Sequence, residues 1–329
     1  MTERTAEAAG LFEPIRAEIA RVEALIRREA ANPNPFVQTL VEHQTKHQGK
    51  RARPALLLYS AHICGGEPQE LHYGLAAVIE MLHTATLAHD DVLDEAEIRR
   101  NVPTLNRMWG NEASVLFGDY LFAKAYALCA RLHNREANLI FATAVQDICV
   151  GELSQIAGRF NFDLEEDQYL NLIRLKTAVL FSTACRLGAV GTEAEPRIAE
   201  ALAEYGEKVG IAFQIVDDCL DITGDERVMG KSLGTDLAKG KLTLPVIRLL
   251  KELSPGERRG LQQVMSSANG KDPRAEVLRL LHERDVLAWS LGRAQEFAEE
   301  AKAALREVPP SAHTESLANL ADFVVSRRS

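Results

Sequence analysis

The feature that most limits what this chain can fold into is an acidic motif that occurs twice, each time at the end of an apolar stretch. Ile79 to Arg100 reads I-E-M-L-H-T-A-T-L-A-H-D-D-V-L-D-E-A-E-I-R-R, and Phe213 to Asp221 reads F-Q-I-V-D-D-C-L-D. Both deliver aspartates at i, i+1 and i+4: Asp90, Asp91 and Asp94 in the first, Asp217, Asp218 and Asp221 in the second. On a helix, residues four apart stand one above the other, so Asp90 and Asp94 point the same way with Asp91 beside them. Like charges held this close repel. One such cluster is ordinarily a solvated helix end, but two at the same spacing on two apolar segments call for a cation. Carboxylates are ligands suited to Mg²⁺, which commonly sits on one or two of them together with substrate phosphates.

Between the motifs the pattern is helical. Leu11 to Ala30 carries apolar residues at helical spacing and ends at Asn32-Pro33-Asn34-Pro35. Phe36–His47 is expected to be a second helix, and Pro54 suits the first turn of a third that Gly65-Gly66 stops. A central helix begins near Glu70. Asp119–Val150 and Arg159–Leu187 contain neither Gly nor Pro and are expected to be long helices, as is Arg197–Asp221. No alternating run suggests a strand. The expectation is an all-α fold, a large helical bundle around a central cavity, formed as one domain over residues 1–329.

Bulk properties narrow the function. A net charge of −9 argues against a general nucleic-acid binder, so the basic residues must work locally. The five cysteines are scattered and never form C-x-x-C, which points to free thiols in a reducing cytoplasm and away from zinc. The N-terminal M-T-E-R-T-A-E lacks a signal-peptide pattern, and no apolar run reaches the length of a membrane span.

The cations cluster around the acidic motifs. Lys50, Arg51 and Arg53 open the third helix, Arg99 and Arg100 follow the first motif, and Lys176-Thr177 interrupts an apolar helix. A Gly- and Lys-rich loop, Gly230 to Lys241, follows the second motif. Glycines let backbone amides approach an anion, and lysine and arginine supply charge to phosphate. Neither a P-loop nor a dinucleotide fingerprint is present, and His83 and His89 do not have zinc-protease spacing. Metal-binding carboxylates facing phosphate-type cations can draw a diphosphate away from carbon, leaving a carbocation in an apolar cavity that excludes water.

These residues resemble the trans-isoprenyl diphosphate synthases, the polyprenyl synthetase family. The similarity runs from G-K-R-A-R-P through H-D-D-V-L-D-E-A-E-I-R-R, G-D-Y-L, G-E-L-S-Q, K-T-A and F-Q-I-V-D-D-C-L-D to G-K-S-L-G-T-D-L-A-K-G-K-L-T-L-P. The resemblance implies an all-α homodimer with the two motifs facing across a cavity. It implies that Asp90, Asp94 and Asp217 bind Mg²⁺, three ions with substrate present, with Asp91, Asp218 and Asp221 supporting. It assigns isopentenyl diphosphate to Lys50, Arg53, His83 and Arg100. It assigns the allylic diphosphate to Arg99, Lys176, Thr177, Gln214, Lys231 and Lys241, with Thr177 and Gln214 also facing the developing cation. Release of a long product implies peripheral membrane contact. Asn101 stands where the family usually has Gly, and asparagine tolerates left-handed backbone.

Product length is read from the helix before the first motif. Ala85 and Thr86 are five and four residues before Asp90, so Ala85 lies roughly 7–8 Å down the helix. An aromatic there would plug the cavity, whereas alanine leaves it open. The expectation is a product of about six to ten isoprene units, by resemblance to the family's long-chain members, with eight as the central value. The alternatives are a short-chain farnesyl or geranylgeranyl diphosphate synthase and a non-catalytic subunit of a heteromeric synthase. A class I terpene cyclase would share one D-D-x-x-D but would not need a second diphosphate site.

Overall fold

A computed structural model of the protein describes residues 10–46, 51–224, 234–266 and 273–327. After a 3₁₀ turn at Glu13–Ile15 come α1 (Arg16–Ala30), α2 (Pro35–Lys46), α3 (Ala52–Ile63) and α4 (Glu70–Leu93). A short hairpin, β1 (Ile98–Arg99) against β2 (Val102–Pro103), leads to α5 (Leu105–Arg131) and α6 (Arg135–Ala157). α7 (Glu166–Ile173) runs through a π-helical turn at Arg174–Ala178 into α8 (Val179–Ala189). α9 (Pro196–Thr223), a short α10 (Thr235–Ala238) and α11 (Leu244–Glu252) follow. The last four are α12 (Pro255–Ser266), α13 (Arg274–Glu283), α14 (Val286–Ala304) and α15 (Ala312–Ser326).

The all-α expectation is borne out, but two long helices are divided. Asp119–Val150 breaks between α5 and α6, where His133 takes φ 52° and Asn134 caps α6 by accepting the Ala137 amide at 2.8 Å. A left-handed residue followed by an asparagine cap ends one helix and starts the next without Gly or Pro. Arg159–Leu187 opens as a loop, with Phe160 at φ 57°, and helix resumes only where Glu165 and Gln168 form a capping box. The hairpin is a strand pairing too short for alternation to reveal. Its turn residues Arg100 and Asn101 take φ 54° and 63°, so the asparagine does occupy a left-handed position.

α4 is apolar on almost every side through its first half, from His72 to Leu82, and is enclosed accordingly. It packs on α5, α1, α3 and α8. α9 packs on α8, α14, α15 and the π turn. α3 lies against α8, so these two join the halves of the bundle that carry the two acidic motifs. Leu56, Leu57, Leu58, Leu75 and Ile79 are wholly buried there, each contributing about 1.5–3 kcal/mol of transfer free energy. The chain after Lys251 closes one side of the bundle through α14 and α15, as its amphipathic pattern implies.

Candidate active site

The acidic motifs end α4 and α9, which is the wrong end of a helix for negative charge. The last carbonyls of a helix carry a partial negative charge, so aspartates there add repulsion to repulsion unless a cation arrives. Both helix ends border one cavity of ≈ 870 Å³, at the upper end of the range for ligand pockets. Asp90, Asp94, Asp217, Asp218 and Asp221 line it, with Arg53, His83, Arg99, Arg100, Lys176, Thr177, Gln214 and Lys241. Lys50 and Lys231 lie outside the described residues.

Two expected residues lie beside the cavity. Asp91 is 5% exposed and accepts a 2.6 Å hydrogen bond from Arg99 Nε, so it holds an arginine that itself reaches the lining. Ala85 is buried in the core, while its neighbour Thr86 lines the cavity. Helical geometry accounts for this: four residues from Asp90 is about 40° around the axis, and five is about 140°.

Asp90 carries the electrostatic cost of the site. Burial pushes its carboxyl up to about 6, Glu152 and Asp94 add to the rise, and the Lys176 ammonium opposes it. Asp94 differs because, although it too is partly buried, Lys241 Nζ donates to its Oδ1 at 2.6 Å and holds it below the usual range. Lys241 also lies 3.2 Å from Asp236, and Lys239 donates to the Leu93 carbonyl at 2.9 Å. The Lys-Gly-Lys strap is thereby fastened across the end of α4.

In the second motif, Asp218 is tied off. Tyr169 Oη donates to its Oδ2 at 2.6 Å and Gln214 Nε2 to its Oδ1 at 2.7 Å. Thr177 Oγ1 in turn donates to Gln214 Oε1 at 2.7 Å. Burial, with Asp236 nearby, pushes Asp218 up to about 8 despite those two bonds. The chain Thr177–Gln214–Asp218–Tyr169 fixes four cavity-lining side chains in relation to one another. Asp217 lines the same cavity.

Lys176 and Thr177 are adjacent, and in a regular α-helix they would diverge by about 100°. They sit in the π turn, which widens the backbone there, and both line the cavity. α6 accommodates that swelling at Gly151, where a Cβ would lie 2.8 Å from the Lys176 backbone nitrogen. Lys176 Nζ meets Glu152 at 2.9 Å and Gln155 at 2.8 Å, both from the G-E-L-S-Q segment.

The cavity lining also carries a cationic group. Arg53 lies over the Phe181 ring at 4.5 Å, and its Nε is buried without a hydrogen-bond partner among the described residues. Burial lowers its guanidinium to about 10. Burial and the charges of Arg53, Arg100, Arg99 and Arg51 hold His83 well below its ordinary value, so it is neutral. Arg51 is already neutralised, by Glu80 at 2.5 Å and Glu23 at 3.2 Å, and anchors the start of α3. A buried guanidinium with an unpartnered Nε at a lined cavity is suited to an anion.

Sequence reasoning missed Tyr169, Glu152, Gln155, Asp236 and Glu80. It also missed Arg327, which lies over Phe213 at 4.7 Å and lines the cavity beside Asp217. Glu152 and Gln155 lie in a segment the sequence comparison singled out, so that segment was their available signal. The others are single residues with no spacing to mark them.

The protein family described as polyprenyl synthetase matches residues 34–281. An all-trans-nonaprenyl-diphosphate synthase (geranyl-diphosphate specific) of Rhodobacter capsulatus is 36% identical over 96% of this chain and 97% of its own length. A geranylgeranyl diphosphate synthase of Saccharolobus solfataricus is also 36% identical, over 85% of this chain and 87% of its own. Among solved structures, a polyprenyl synthase of Caulobacter crescentus CB15, complexed with calcium and isoprenyl diphosphate, superposes with a TM-score of 0.94 at 34% identity, covering 98% of both chains. The fold, the paired motifs and these matches agree: the chain belongs to the polyprenyl synthetase family and is a prenyltransferase.

Proposed function

We propose that this chain is a long-chain trans-polyprenyl diphosphate synthase that adds isopentenyl diphosphate repeatedly to an allylic diphosphate, farnesyl or geranylgeranyl, under Mg²⁺. The observation that carries the reading is one cavity lined both by the two acidic motifs and by a group of mutually close cationic-site residues, Arg53, His83 and Arg100. Two sets of anion-binding groups, metal-type carboxylates with lysines and a cluster without carboxylates, provide for two diphosphates. Asp90, Asp94 and Asp217 fit a Mg²⁺ site: all three line the cavity, and burial, with Glu152 and Asp94 nearby, raises the Asp90 carboxyl. Held by these carboxylates, Mg²⁺ would supply positive charge to neutralise a departing diphosphate.

The protein's own residues do the rest. Lys176, Lys241 and Arg99 hold the allylic diphosphate, and its C–O bond breaks with the electron pair leaving on oxygen. Arg53, Arg100 and neutral His83 hold isopentenyl diphosphate with its double bond toward the cation. The new carbon–carbon bond forms, and the proton lost afterwards passes to the released diphosphate. Leu172, Leu180 and Phe213 keep water from the cation.

Relatives of both long and short product length share the same identity, so identity does not choose the product. The small Thr86 in the cavity lining, and near-complete coverage of the nonaprenyl synthase, favour about six to ten units. We also place the protein in the cytoplasm as a homodimer. All five cysteines are free thiols, as a reducing compartment allows. The dimer reading is supported by α5 and α6, which expose Leu116, Tyr126, Leu139, Val150 and Leu153 at 50–69%. α6 is long and apolar enough to cross a membrane, yet only 22% of its apolar window is buried within the protomer. A second copy covers that face in this reading, and light scattering at twice the chain mass checks it.

The deciding experiment supplies purified protein with Mg²⁺, isopentenyl diphosphate and, separately, dimethylallyl, geranyl, farnesyl and geranylgeranyl diphosphate, and sizes the dephosphorylated products. A ladder reaching C30 or beyond is expected. Termination at C15 or C20 would make this a short-chain synthase. No condensation by folded protein with any primer would make it a non-catalytic subunit.

A further inference from the structure

A second group of metal-ligating side chains lies outside the cavity, at the far end of α3. Nine residues separate Arg53 from His62, about 14 Å along the helix. There His62 Nε2 lies 3.0 Å and 3.2 Å from the two carboxylate oxygens of Glu18 on α1. Glu67, on the loop that follows α3, brings a third donor, and one ligand atom from each of the three lies within 4.8 Å of the others. The loop can reach back because Gly66 takes φ 113° directly before Glu67. His313 at the start of α15 stacks on the His62 ring, with centroids 4.2 Å apart and planes inclined by 15°. Its Nδ1 is buried without a hydrogen-bond partner among the described residues. Burial and the neighbouring His62 lower His313, which keeps it neutral.

We propose that Glu18, His62 and Glu67 form a binding site for a divalent transition-metal ion of the zinc type, independent of the Mg²⁺ chemistry of the cavity. An imidazole with two carboxylates is a donor set for zinc, cobalt or nickel, whereas magnesium takes oxygen ligands and keeps its waters. The three donors come from three separate segments, so the ion would clamp α1 to the end of α3 and to the following loop. The stacked His313 extends the clamp to α15. His62 is poorly exposed and Glu67 reaches solvent, which leaves the ion an entry path.

Because the aspartates of the cavity would also take up such ions, the test uses full-length protein carrying Asp90→Asn and Asp217→Asn, stripped with chelator. Co²⁺ is followed by its visible ligand-field bands, and Zn²⁺ by dialysis with metal analysis. One ion per chain is expected, with the bands of a nitrogen-ligated centre and a rise in melting temperature. Glu67→Gln, at an exposed position, should weaken binding about tenfold or more by removing one of three ligands, and His62→Ala should abolish it. No uptake by the doubly substituted protein would overturn the site. Equal uptake by Glu67→Gln and its parent would overturn it as well, whether or not His62→Ala folds.

Discussion

Replacing Asp90 by asparagine should make the metal-free protein more stable while removing its activity, and the gain should depend on pH. The Asp90 carboxyl stands at about 6 in the folded chain against 3.8 in an unfolded one. A group raised in this way gives its full support below about pH 4 and loses it as the pH climbs to about 6. The loss is about 2 pKa units, or about 3 kcal/mol at pH 8. For 329 residues the unfolding entropy is about 0.7 kcal/mol/K, so the effect is about 4 °C in melting temperature. Asparagine keeps the shape and carries no titrating charge. In chelator, Asp90→Asn should therefore melt about 4 °C above wild type at pH 8 and level with it near pH 4. Mg²⁺ favours the ionised carboxylate, so it should stabilise wild type more at pH 8 than at pH 5, and the variant little at either. Scanning fluorimetry across this range reads all four conditions. Parallel stability–pH curves for the two proteins in chelator would refute the account of Asp90 as a buried, unneutralised acid.

Arg53→Ala should raise KM for isopentenyl diphosphate about tenfold or more, by removing charge-assisted hydrogen bonds of about 1.5–3 kcal/mol, with less effect on the allylic substrate; steady-state kinetics with each substrate varied separates the two. Tyr169→Phe should lower kcat while leaving the melting temperature within about 2 °C, since it frees one oxygen of Asp218 and the chain to Thr177 loosens; an unchanged kcat would show that the phenol does not position the site. Thr86→Phe should shorten the product ladder more than Ala85→Phe, because position 86 faces the cavity and a ring at 85 must lodge in the core at a cost of about 1–3 kcal/mol. The opposite order in chromatography would put the growing tail in that core seam instead.

How much of this was legible in the sequence depends on how each residue signals. The paired motifs were readable because aspartates at i and i+4 share a helix face whatever surrounds them, and the structure puts them at one cavity. Arg51 shows the limit of counting charges. It reads as one of three phosphate-type cations, but Glu80, far off in sequence, neutralises it. Tyr169 sits in an ordinary D-Q-Y-L helical stretch and acquires its role only from a contact 49 residues away. The helix breaks near His133 and Phe160 were hidden because non-glycine residues take left-handed angles there. Ala85 and Thr86 were paired by distance along the helix, and rotation about the axis separates them.

The π turn at Arg174–Ala178 and the glycine facing it have a consequence for descent. A one-residue deletion that restores a regular helix would withdraw the backbone from Gly151, leave a gap, and rotate every cavity-lining residue before it relative to those after it. A side chain at 151 with the turn intact would collide with the Lys176 backbone. Neither change is tolerable first, so no single step leads out of the arrangement. Random substitution should therefore leave the bulge and its glycine standing long after the helical surfaces around them have been rewritten.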